Sequence, residues 1–105
     1  MSKYVLSEKA KDDLRRIWHY TVDTWSIERA KCYYNEILDA CDAIADGRVF
    51  SGSFYERIRP GLHGYRSNHH VIFYRILSKR KIRVVRILHD KMDFLRHIDS
   101  GPSLE

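Results

Sequence analysis

The sequence predicts an α+β domain: an N-terminal helical hairpin packed on a small, mainly antiparallel β-sheet. Three observations lead there. Two successive stretches, about residues 10–25 and 30–45, repeat apolar residues with the period of an amphipathic helix. Two later runs, 70–77 and 82–89, are dense in β-branched and aromatic residues and are joined by a short polar link. Finally, 105 residues leave room for one domain, and a chain of that size buries about 65% of its unfolded surface, enough for one modest core. The expected domain spans residues 1–98, and 99–105 read as a disordered tail.

The elements follow in order. Lys3-Tyr-Val-Leu6 is a short strand candidate that ends at Ser7, a helix N-cap residue, with Glu8, Asp12 and Asp13 placed to meet the positive end of a helix. Ala10, Leu14, Ile17, Trp18, Thr21 and Trp25 then form one apolar stripe. Ser26 caps a second helix, whose stripe is Ala30, Tyr33, Tyr34, Ile37, Leu38, Cys41, Ile44 and Ala45. Gly47 is suited to its C-terminus, because glycine enters the left-handed region without steric cost. With almost no linker between them, the two helices fold back on each other.

Residues 48–64 break the periodicity with Gly52, Pro60, Gly61 and Gly64, and Pro60-Gly61 is a turn signal. The runs His70–Leu77 and Ile82–His89 then read as a β-hairpin closed by Ser78-Lys-Arg-Lys81. Symmetric closure pairs Leu77 with Ile82 and His70 with His89. One face then carries Ile72, Tyr74, Ile76, Val85 and Ile87 and is assigned to the core. The other carries Val71, Phe73, Leu77, Ile82, Val84 and Leu88, interrupted by Arg75 and Arg86, and is expected to be partly wet and functional. A slip of one residue exchanges the faces. After His89 the chain is long enough for one or two helical turns. There His89 and Asp93, spaced i, i+4, would share a side and hydrogen-bond, either as a contact or acid–base pair or as a brace at the helix entry.

Charge is divided unevenly. Residues 1–47 hold seven Lys/Arg and nine Asp/Glu, whereas residues 48–105 hold twelve Lys/Arg, nine of them Arg, and five Asp/Glu. The second half, at +7, is suited to an anionic partner. The first eight residues lack the apolar stretch of a signal peptide and no run reaches the roughly 18–20 apolar residues of a membrane span, so the expected location is the cytoplasm, with no membrane partner. Cys32 and Cys41 lie roughly 13 Å apart along one helix, too far for a disulfide. No Cys or His cluster has metal-ligand spacing, including His63, His69 and His70, so neither metal nor cofactor is expected.

At this point the chain resembles a known family. His70-Val-Ile-Phe-Tyr-Arg75, followed by Ile82-Arg-Val-Val-Arg-Ile-Leu-His-Asp-Lys-Met-Asp93, is similar to the C-terminal signature of ParE-type toxins of the RelE/ParE superfamily. The Ala10…Asp13-Leu14…Ile17…Tyr20…Trp25 pattern and the Ala30…Tyr33-Tyr34…Leu38 helix resemble the same family, so the likeness runs over about residues 3–98. It implies the order β-α-α-β-β-β and a type II toxin that inhibits DNA gyrase, with no catalytic residues of its own. It also implies a cognate antitoxin, small, acidic and ParD-like. Target contacts are expected at Arg75, Arg86, His89, Lys91, Met92 and Asp93. Antitoxin contacts are expected at Arg57, Arg59 and Arg66, and in an apolar groove beside Trp18, Trp25 and Tyr34. The alternative within the superfamily is a ribosome-dependent mRNA endonuclease, which needs cations around the scissile phosphate and a group that activates the 2′-hydroxyl. Here the strand position where such enzymes carry Arg is Val71, and the tail offers His97 rather than Tyr. Arg75, Arg86, His89 and Lys91 remain as a basic set, and direct contact with nucleic acid stays open.

Overall fold

Ser7 turns the chain from strand to helix. Its Oγ accepts the N–H of Ala10 at 3.0 Å and donates to the carbonyl of Val85 at 2.7 Å, while its own N–H reaches Val84 O at 2.9 Å. One buried serine therefore caps a helix, an interaction worth about 1 kcal/mol, and ties that helix to a strand near the other end of the chain. A computed structural model describes residues 3–48, 53–55, 58–94 and 98. The expected contact Arg57, the tail residue His97 and the expected disordered segment 99–105 lie outside the described residues.

The elements are β1 (Lys3–Leu6), α1 (Glu8–Thr24), α2 (Ile27–Ala45), β2 (Ser53–Phe54), β3 (His63–Ser67), β4 (His70–Ser78) and β5 (Lys81–His89). The α+β class and the helical hairpin are as the sequence predicts. Ser26 caps α2 by accepting Arg29 N at 3.0 Å, and Gly47 follows the helix at φ +76°. The described strands form one sheet in the order β1-β5-β4-β3-β2. All neighbours are antiparallel except β1 and β5, which run parallel with Tyr4 opposite Ile82. The two-residue β2 and the strand β3 fall where the sequence shows only a broken, glycine-rich connection. Gly64 in β3 is needed there, because a Cβ would lie 2.4 Å from the ring of Tyr55.

The hairpin differs from symmetric closure in an instructive way. Its turn is Lys79-Arg80, with Arg80 at φ +62°, and Ser78 pairs with Lys81. Leu77 is then bulged, so Ile76, Arg75 and Tyr74 pair with Ile82, Arg83 and Val84. A second bulge at Val85 restores the predicted pairing, and Phe73, Ile72, Val71 and His70 face Arg86, Ile87, Leu88 and His89. Residues 82–85 exchange faces, as a one-residue shift requires, so Val85, assigned to the core face with Ile72 and Ile87, packs on the other side instead.

Both faces are consequently buried. On the helix side, Ile72, Tyr74, Ile82, Val84 and Ile87 pack with Ala10, Leu14, Ile37, Cys41 and Ile44. On the other side, Val71, Phe73, Val85 and Leu88 pack with Leu62 and Ile98, bordered by Tyr55, Ile58 and Phe94. The expectation of a wet, functional second face is overturned for this stretch. Tyr55, Ile58, Leu62, Phe94 and Ile98 cover it, with Phe73 and Phe94 rings 4.9 Å apart.

Candidate functional site

The site is organised around Asp13. Its place between Ala10 and Leu14 puts it on the buried stripe of α1, and it is 3% exposed. Among the described residues no strand continues beside β5 beyond Leu6, and α1 takes over that edge. There Asp13 accepts Arg86 Nε at 2.8 Å, Arg86 Nη2 at 3.0 Å, the N–H of Ile87 at 2.9 Å and Arg16 Nη2 at 2.8 Å. A carboxylate thus serves as the missing strand partner for one backbone donor while neutralising a guanidinium that is 7% exposed. Arg86 was expected on a solvent face as a target contact. It is instead a buried tie between sheet and helix.

Beside this tie lies a groove of about 540 Å³. Its helix wall is Arg16, Ile17, Tyr20, Thr21, Trp25, Arg29 and Tyr33, and its sheet wall is His69, His70, Ile87, Leu88, His89 and Met92. Trp25 ends α1 and is 64% exposed, with the Arg29 guanidinium 4.9 Å above its ring. A large aromatic ring held by a cation and open to solvent is a typical anchor for a partner. Trp25, expected to meet an antitoxin, and His89 and Met92, expected to meet a target, therefore line one cavity. Trp18 and Tyr34 do not join it. Their rings meet edge to face at 5.8 Å across α1 and α2, above a second groove of about 500 Å³ with Leu6, Leu14 and His19.

Histidine chemistry marks the floor of the first groove. His70 Nδ1 lies 2.5 Å from the Tyr33 hydroxyl. Burial, followed by the neighbouring His89, pushes the His70 pKa down to about 4. Its ring is therefore neutral near pH 7 and shares one hydrogen bond with the Tyr33 hydroxyl through Nδ1. Burial likewise raises the Tyr33 pKa. His89 stands 5.2 Å from His70 ring to ring and opens toward solvent. It is the last residue of β5, so no helical turn spans 89–93 as the i, i+4 spacing suggested. Instead, His89 Nδ1 accepts the N–H of Lys91 at 3.2 Å and lies 3.2 Å from Asp90 Oδ1.

The remaining expected residues are dispersed. Lys91, Met92 and Asp93 are exposed just beyond β5. Arg66 binds the Asn68 carbonyl at 3.2 Å and the Asp90 carboxylate, bracing the β3–β4 turn against the end of β5. Arg59 sits half-buried in the turn before β3. Arg75 is exposed opposite Arg83, five residues along β4 from His70 and so about 17 Å from the histidines. Val71 is buried beneath Leu62 and Phe73. Among the described residues no group of three or more His, Cys, Asp or Glu side chains is placed to hold a metal ion, and no helix is long and apolar enough to cross a membrane. Asp13 and Tyr33 were not anticipated as site residues. An acid one position before Leu14 on an apolar stripe was the available signal for the first. For Tyr33 the sequence carries none beyond its place on the stripe.

Comparison with known proteins agrees with this architecture. Residues 4–94 match the family described as ParE toxin of type II toxin-antitoxin system, parDE. Toxin ParE1 of Mycobacterium tuberculosis is 38% identical over 98 residues, covering 92% of this chain and 98% of the relative. Toxin ParE1 of Caulobacter vibrioides is 34% identical, covering 93% and 99%, and Toxin ParE of Escherichia coli is 29% identical, covering 93% and 94%. Among solved structures, a chain of the chromosomal ParDE TA system from P. aeruginosa superposes with a TM-score of 0.65 at 21% identity, over 85% of this chain and 95% of that one. The last likeness is one of fold. The family match spans both helices and the β4–β5 hairpin, and with it the chain belongs to the ParE toxins of type II toxin–antitoxin systems.

Proposed function

We propose that this toxin acts in the cytoplasm by binding DNA gyrase, without a catalytic centre, and that a small acidic antitoxin neutralises it by occupying the groove between Trp25 and Met92. Membership in a toxin–antitoxin family implies the antitoxin partner. One observation carries the non-enzymatic reading. The basic set expected to serve phosphate cleavage does not converge, since Arg86 is held by Asp13 and Arg75 lies at the far end of the hairpin. His70, neutral and bonded to Tyr33, contributes no positive charge there near pH 7.

The shared groove suggests how neutralisation works. An amphipathic antitoxin segment seated on Trp25 and Tyr20 would cover His89 and Met92 at the same time, so masking needs no conformational change. Trp18 and Tyr34, over the second groove, extend the same surface to the other side of α1, with Arg59 and Arg66 as further antitoxin contacts. The test is direct. Purified protein should block gyrase supercoiling or trap cleaved DNA, and should leave a translated mRNA intact. Site-specific mRNA cleavage on ribosomes with gyrase unaffected would reverse the reading in favour of an endonuclease.

A further inference from the structure

At the turn end of the β4–β5 hairpin, Arg75 and Arg83 are direct cross-strand partners. Side chains in such register stand about 5 Å apart at Cβ, and like charges there are destabilising. The sequence from 71 to 89 contains no Asp or Glu, and neither arginine makes an ion pair among the described residues. Lys79 and Lys81 add two more exposed cations. The other two arginines of the hairpin are already engaged, Arg80 by Asp46 and Arg86 by Asp13. The apolar part is as unusual, since Ile76 is 59% and the bulged Leu77 45% exposed. Beyond Tyr74 no β3 residue pairs with β4, so this corner of the sheet has an open edge.

We propose that this hairpin tip is a contact for duplex DNA, with Arg75 and Arg83 straddling backbone phosphates and Lys79 and Lys81 flanking them. A phosphate between two guanidiniums turns their mutual repulsion into attraction. Strand β1 pairs beside β5 here, Lys3 opposite Lys81 and Val5 opposite Arg83, so the tip is a three-stranded edge that meets the phosphate backbone rather than a ribbon that enters a groove. An acidic protein would match the charge, and the competition below separates it from duplex DNA. The inference goes beyond the gyrase reading and does not depend on it.

Fluorescence anisotropy with a labelled duplex of about 20 base pairs tests it, in the absence of gyrase and antitoxin. Four phosphate contacts predict a slope of about −3.6 in log affinity against log salt, or a loss of about 150-fold between 50 and 200 mM salt. Arg75→Gln with Arg83→Gln should remove about 1.8 from that slope and leave the melting temperature equal or higher. Should that variant fail to fold, Lys79→Gln with Lys81→Gln in the exposed turn gives the same readout. Absence of duplex binding at 50 mM salt, unchanged binding by a folded variant, or equal displacement by polyglutamate would each overturn the proposal. The last would assign the tip to an acidic protein. Because the assay contains no gyrase, DNA binding without supercoiling inhibition would separate this contact from the proposed target.

Discussion

Arg86 of β5 and Asp13 of α1, 73 positions apart, form a two-pronged buried ion pair that also satisfies the backbone of Ile87. It joins the sheet edge to the first helix at the point where β1 ends. Removing one partner leaves a charge in a site with little access to water, which costs about 3–5 kcal/mol. Asp13→Asn and Arg86→Ala should both lower the unfolding free energy read from urea melts by that amount, and the double variant Asp13→Leu with Arg86→Met should regain most of it. If Arg86→Ala abolished toxicity in a chain of unchanged stability, the structural role assigned to this pair would be wrong.

Trp25 offers a contrasting case, because its exposed ring contributes little to the folded chain. Trp25→Ala should weaken antitoxin binding by about 2 kcal/mol, roughly 30-fold, while urea stability moves by no more than about 0.5 kcal/mol. Calorimetric titration of the antitoxin into both proteins measures the first quantity. Equal affinities would place the antitoxin elsewhere.

His89 and Met92 face the same groove from the sheet side. His89→Ala with Met92→Ala should raise the concentration needed to inhibit supercoiling about tenfold or more, a cost of about 1.4 kcal/mol. The antitoxin should lose affinity for the same variant, since one groove serves both. A variant that lost only one of the two activities would break the masking argument.

His70 gives the stability a pH dependence of predictable sign. Its folded pKa, about 4, lies below the ordinary histidine value of 6.5, so the unfolded chain takes up the proton first as pH falls. The contribution is complete above pH 6.5 and is lost progressively down to about pH 4. Allowing for the partial exposure of the ring, the loss should be about 2 kcal/mol. Urea melts at pH 7.5, 5.5 and 4.5 should display it, and His70→Gln should flatten that part of the profile.

The two cysteines should differ sharply in reactivity. Cys41 is buried in the helix-side core, where burial pushes its thiol pKa up to about 12, whereas Cys32 is exposed. Iodoacetamide at pH 8 should add one group to the native protein and two in denaturant, read by mass spectrometry. Two rapid additions in the native state would mean that α2 does not pack as described.

Much of the fold was legible because it rests on local rules. Ser7, Ser26 and Gly47 bound the helices through backbone groups only a few residues away, and the stripes of α1 and α2 follow from helical geometry. The pairing of His70 with His89 was legible for the same kind of reason, since hairpin length sets it. The order β-α-α-β-β-β implied by the resemblance includes one strand ahead of the hairpin, but the residues themselves placed neither β2 nor β3, because such short extended segments carry little periodicity and pair only when β4 is present.

By itself, then, the sequence determined an α+β domain, its helical hairpin, a basic C-terminal half and the likeness to the ParE toxins. Tertiary structure alone decided what the buried charged side chains do. Two compensating bulges, at Leu77 and Val85, turn residues 82–85 to the other face, and bulges depend on long-range packing rather than on composition. The end of β1 leaves an edge donor at Ile87, and Asp13, 74 positions away, is the group that meets it. The physical reason is common to both. Helix periods and caps are set within a few residues, whereas the partner of a buried charge is set by which elements become neighbours in space.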